Sequence, residues 1–179
     1  MQRLKVNNEW VAAAADRLIP RHKIGERTVI KTEANTLDIL REVVTTCHYS
    51  NWQVKEFARY LRNNSGAKDT AYNVWKFIRN NIPYRLDPSG FQFVNTPANA
   101  WHNRHNKQTF CDCKSYAVMA WSLLKHLGIP VYRRFVSYDV AEAYTHVYVV
   151  VIVDGKTILV DPCLEYFNVE KKYKYKKDV

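Results

Sequence analysis

The sequence predicts an α+β fold in which helices come first and a small antiparallel β-sheet follows. Three observations carry this. Apolar residues recur at helical spacing in several stretches between residues 36 and 82, and again over 112–127. Beyond Pro130 the pattern changes to runs rich in Val, Tyr and Ile. Between two of those runs stands Asp154-Gly155, the strongest short-range hairpin signal. Helices followed by strands is the order expected of α+β architecture.

Taken in order, residues 9–18 are Ala-rich and read as a helix that Pro20 ends, within an N-terminal extension over 1–35. From residue 36, Leu37, Leu40, Val43 and Val44 form an apolar face, with Asn35 or Thr36 as cap. Residues 52–61 read as a second helix, with Val54, Phe57, Ala58 and Leu61 on one side, broken by Asn63-Asn64-Ser65-Gly66. A third spans 69–82, with Asp69 as N-cap and Pro83 as its stop, since the residue before a proline avoids the helical region. Residues 83–110 lack periodicity and read as one long loop, of the kind that is often functional. The clearest helix covers 112–127, with a stripe of Ala117, Ala120, Trp121, Leu124 and Leu127, closed by Gly128 and Pro130. Strands are expected over 131–138, 145–153 and 156–161. A core domain over 36–168 then leaves a basic tail over 169–179.

The chain has 179 residues, 27 Lys+Arg against 17 Asp+Glu, and a net charge of +10. Both halves are modestly positive, and no zinc-finger spacing or RNA-binding aromatic signature is present, which argues against a nucleic-acid partner. The densest basic run, 171–177, reads as a solvated tail. The first residues carry no apolar stretch of the secretory kind, and the longest apolar run, 147–153, is too short to span a bilayer. A cytoplasmic protein with no membrane contact is the expectation. Four cysteines, at 47, 111, 113 and 163, are too sparse for a disulfide scaffold and read as free thiols.

The hairpin has a chemical consequence. If Asp154 and Gly155 form the turn, Val153 faces Lys156 and Tyr148 faces Asp161. Residues two apart along a strand share a face, so His146 and Asp161 become diagonal neighbours, with Cα atoms about 7–8 Å apart. A slip of one residue would put them on opposite faces. A histidine oriented by a carboxylate needs only a nucleophile to complete a triad. Cys113 stands at the start of the best helix, where unpaired N–H groups favour a thiolate and its own N–H can serve an oxyanion. Cys111 lies outside the helix. Taken singly, each residue is more often structural than catalytic; the Cys, His, Asp order with two on one face is what raises the reading.

At these residues the sequence resembles the transglutaminase-like superfamily, whose folds belong with the papain-like cysteine enzymes. The resemblance lies in Cys111-Asp112-Cys113-Lys114-Ser115, Leu127-Gly128-Ile129-Pro130, Tyr144-Thr145-His146-Val147-Tyr148 and Leu159-Val160-Asp161-Pro162. Residues 82–88 and Thr96-Pro97 add to it, so that it covers about 70–163. It implies a papain-like core, with helices on a small sheet and the nucleophile opening a central helix. It further implies acyl transfer through a thioester, with Cys113 as nucleophile, His146 as general base and acid, and Asp161 as the orienting carboxylate. The substrate would be protein or peptide, with no cofactor and no resident metal. Gln108 and Trp75 are candidates for a second oxyanion donor. Cys111 stands where the family usually has glycine, and a sulfur link to a neighbour such as Cys163 is conceivable. The compact form is similar to small bacterial and bacteriophage members, which raises association with a virion.

Two other readings stay open. His102, His105, Cys111 and Cys113 supply zinc-type ligands, although only one residue separates the cysteines where structural sites have two to four. Alternatively, the chain is a catalytically silent binding or structural module, part of a phage or other larger assembly, using its basic and aromatic surface.

Overall fold

The computed structural model describes residues 8–21 and 34–179. Helix α1 (Asn8–Leu18) precedes α2 (Thr36–Ser50), whose start is held by a capping box. Asn35 accepts from the N–H groups of Leu37 and Asp38, and Asp38 accepts in return from the Asn35 N–H. The stretch expected as one helix over 52–61 is broken instead. A 3₁₀ turn (Asn51–Val54) leads into the single α-turn α3 (Lys55–Ala58), and a second 3₁₀ turn (Arg59–Leu61) follows. Helix α4 is Ala67–Asn81. It starts from Gly66, at φ 121°, so Asp69 lies in the first turn and is not the cap. Ile82 is extended before Pro83, as the proline requires.

The long loop expected over 83–110 contains a helix, α5 (Pro97–His102). Its sequence signal is short: Thr96 caps the Asn99 N–H at 3.2 Å, and Pro97 takes the first helical position, where its missing N–H costs nothing. Helix α6 (Cys113–His126) is the centre of the molecule. The apolar stripe expected on one side understates it, because every residue from Cys113 to Leu124 is buried. It is wrapped by α2, α4, α5 and the sheet, so Ser115 and Ser122 lie as deep as Leu123.

Gly128 closes α6 at φ 72° with nothing within 4 Å of the place a Cβ would occupy. Substitution there meets backbone strain alone. Gly128→Ala is expected to lower stability by about 1–2 kcal/mol, checked by urea unfolding at equilibrium.

Strands β1 (Val131–Ser137), β2 (His146–Val153), β3 (Lys156–Val160) and β4 (Tyr175–Asp178) form one antiparallel sheet in the order β3-β2-β1-β4. The hairpin register is the one the turn dictates: Val153 pairs with Lys156 and Val149 with Val160, and Asp154 and Gly155 both have positive φ. Strand β4 is new. The end of the basic run expected as solvated, residues 175–177, has exposed side chains but a paired backbone. Asp178, the acid just after that run, draws it in by a bidentate pair with Arg134 at 2.8 and 2.9 Å, and Arg134 also holds Glu170. The four paired residues hold a single aromatic and are otherwise charged, which hides the strand from a hydropathy reading.

One core joins these layers. Phe57, Phe77 and Trp101 pack in series, with ring centroids 4.8 Å apart in a tilted pair and 5.0 Å apart in a stacked one. Helix α1 shares that core through Val11, Ala14 and Ala15, joined by Ile19 just after it, and Asp16 accepts from the Trp101 indole at 3.0 Å. Among the described residues no helix is long and apolar enough to cross a membrane.

Candidate active site

Cys113 is the first residue of α6, and Asp112 caps that helix by accepting the Lys114 N–H at 3.0 Å. A first-position N–H has no acceptor within its own helix and stays available to a ligand. His146 opens β2, and Asp161 follows the last residue of β3. The diagonal geometry expected from the hairpin is realised, with His146 Nε2 2.7 Å from Asp161 Oδ2. Both side chains are well buried. Burial works against charge on His146, but hydrogen bonds to Asp161 and Cys113, and the charges of both, prevail and raise its pKa to about 10. Cys113 and Asp161 therefore hold one imidazole between them.

The remaining thiols sit in different surroundings. Burial lifts Cys47 to about 11 and Cys111 to about 12. Burial, then the Asp161 charge, pushes Cys163 well up. Cys111 turns inward, its sulfur 3.6 Å from Asn95 Nδ2, so it does not line the cleft. All four cysteines are free.

A cleft of about 330 Å³ runs along Cys113 and His146. Ile39 and Leu40 of α2, together with Phe135, Tyr144 and Val147, are among its lining. Tyr84, Leu86, Gln92, Asp112 and Lys114 line it as well. The loop that carries Tyr84, Leu86 and Gln92 is fastened from below. Arg85 donates through one nitrogen to the carbonyls of Arg104, Asn106 and Thr109 at 3.0–3.2 Å. Asn95 binds Ser115 Oγ through its backbone and side chain, both at 3.1 Å. Lys114, buried beside Cys113, bridges Asp112 and Asp87, the latter at 3.0 Å. A charged residue directly after Cys113 thus ties the loop to the helix.

Neither oxyanion candidate faces the cleft. The Trp75 indole donates to the Asp161 carbonyl at 3.0 Å, so this donor steadies the carboxylate residue from behind. Gln108 is exposed on the 103–110 loop, its N–H on Asn106 Oδ1 at 3.0 Å, away from the residues that line the cleft. Gln92, which sequence reasoning missed, is the glutamine on the cleft wall. It sits between Phe91 and Phe93 in an aperiodic stretch, and only the folding of that loop brings it there. The zinc reading of the loop histidines also fails to assemble: His102 Nε2 is bound at 2.8 Å to the Ile19 carbonyl, and Cys111 and Cys113 face different ways.

A family model described as the transglutaminase-like superfamily matches residues 55–162. Comparison with curated proteins finds no match. Among solved structures, a candidate protease from Parabacteroides distasonis is similar at 18% identity and a TM-score of 0.56, over 80% of this chain and 32% of that one. A candidate cysteine protease from Cytophaga hutchinsonii is similar at 15% identity and a TM-score of 0.48, over 72% of this chain and 44% of that one. The chain spans about a third of the Parabacteroides protein and less than half of the Cytophaga protein. At such identity the first likeness is one of fold: helices on a small antiparallel sheet of the papain-like kind.

Proposed function

The chain belongs to the transglutaminase-like superfamily, and from that premise we propose that it is a cysteine-dependent amide-bond hydrolase acting on protein or peptide through a thioester. The observation that carries this is the single imidazole shared by Cys113 and by Asp161 at 2.7 Å, at the edge of an open cleft.

In this reading His146 takes the Cys113 thiol proton, and Sγ attacks the amide carbonyl carbon. The Cys113 N–H, at the positive end of α6, stabilises the oxyanion. Collapse of the tetrahedral intermediate breaks the C–N bond, and His146 returns the proton to the departing amine. Water, deprotonated by the same imidazole, then attacks the thioester and releases the acid and the free thiol. An amine in place of water would give transamidation by the same steps. Asp161 keeps the imidazole in the tautomer and orientation that both transfers need.

Alkylation with limiting iodoacetamide, read by peptide mass spectrometry, tests the core of this. Cys113 is expected to be labelled ahead of Cys47, Cys111 and Cys163, and His146→Ala to remove that preference. Equal labelling of all four would leave a binding module as the better reading.

The raised His146 pKa has a second consequence. A histidine whose folded pKa exceeds its unfolded value of 6.5 adds stability that is present in full below pH 6.5 and is lost as pH rises toward about 10. Urea melts at intervals across that window should show wild type losing stability, and His146→Ala should flatten this part of the profile.

A further inference from the structure

Asp161 is followed by Pro162 and a second cysteine, Cys163, for which the reaction above has no use. The donor atoms of His146, Asp161 and Cys163 lie within 4.8 Å of one another. Among the described residues this is where three metal-ligating side chains converge. An imidazole nitrogen, a carboxylate oxygen and a sulfur are the donor types that zinc takes, and three protein ligands with one open position are the form of an exchangeable zinc site. The 161–163 segment that carries two of the donors is also held in place. The Trp75 indole fixes the Asp161 carbonyl at 3.0 Å, Arg79 fixes the Pro162 carbonyl at 3.2 Å, and the Cys163 N–H binds Asp161 Oδ1 at 3.0 Å. Support of this kind orients ligands before a metal arrives. His146 borders the cleft, and Cys163 is half-buried.

We propose that His146, Asp161 and Cys163 form a site for zinc or a similar soft divalent cation, and that its occupation blocks the imidazole. On binding, the ion forms bonds to the imidazole nitrogen, the carboxylate oxygen and the sulfur. It displaces the proton between His146 and Asp161 and the Cys163 thiol proton, both of which pass to solvent. No oxidant or reductant is involved. Loss of turnover rests on the hydrolase reading; the binding does not.

The test uses the full chain under a non-chelating reductant, titrated with zinc in competition with a chromophoric chelator. Wild type is expected to take up one equivalent, Cys163→Ser to bind at least about tenfold more weakly, and magnesium not to compete. His146→Ala should weaken binding likewise, with thermal melts confirming that both variants are folded. Absence of stoichiometric zinc uptake, or a Cys163→Ser protein that binds as wild type does, overturns the site. Cys113 labelling is measured separately, so a failed metal site and a failed nucleophile give different results.

Discussion

Cys113→Ala is expected to lower the turnover of an amide substrate by at least about 10³-fold while leaving the thermal melt close to that of wild type. The thiol is at the cleft wall, and its loss removes the attacking atom without opening the deep core around Leu123 and Met119. The double variant Cys113→Ala/His146→Ala should be no slower than the single one, because the two act as a unit and their effects do not add. Peptide release from a denatured protein substrate, followed by mass spectrometry, reads this. Undiminished release from Cys113→Ala would mean that the thiol is not the nucleophile.

The second large effect concerns the residue next to it. Lys114→Met is expected to cost about 3–5 kcal/mol at neutral pH, since it leaves Asp87 and Asp112 buried without their shared cation. Asp87 is the more exposed to this loss in energetic terms. Its Oδ2 accepts from the Phe93 N–H at 2.8 Å, but its Oδ1 has no hydrogen-bond partner. Burial already raises its pKa above 3.8 despite the Phe93 N–H and Lys114. The sign follows: with its folded pKa raised, Asp87 favours folding when protonated and opposes it when ionised. The deficit of Lys114→Met relative to wild type should therefore be small near pH 4 and grow toward pH 7. Urea unfolding at the two pH values measures it; the same deficit at both would mean that packing, not charge, is what Lys114 supplies.

Much of the site was legible in the sequence because two of its residues sit on a hairpin. Once Asp154-Gly155 sets the turn, register places His146 and Asp161 on one face, and the 2.7 Å contact follows from strand geometry. Cys113 was legible for a similar reason, since a capping aspartate before an apolar run marks a helix start. What escaped was whatever depends on partners far away in the chain. Helix α5 and strand β4 are short, with weak periodicity, and both exist because something distant receives them: Gln53 accepts the Ala98 N–H, and Arg134 holds Asp178. Trp75 looked like an oxyanion donor because its position in α4 says nothing of where its N–H points; its acceptor lies 86 residues on, at Asp161.

The sequence by itself determined the α+β class, the order of the main helices and strands, the hairpin register and the helix start that carries Cys113. These are local matters, settled by periodicity, turn chemistry and capping within a few residues. Only the tertiary structure decided that α6 is enclosed on all sides, that Cys111 turns inward while Cys113 faces His146, that Gln92 and not Gln108 reaches the cleft, and that Cys163 joins His146 and Asp161. Each of these depends on which distant surfaces close around one helix. Side-chain direction at such contacts is set by packing and by buried hydrogen bonds, not by the spacing of residues along the chain.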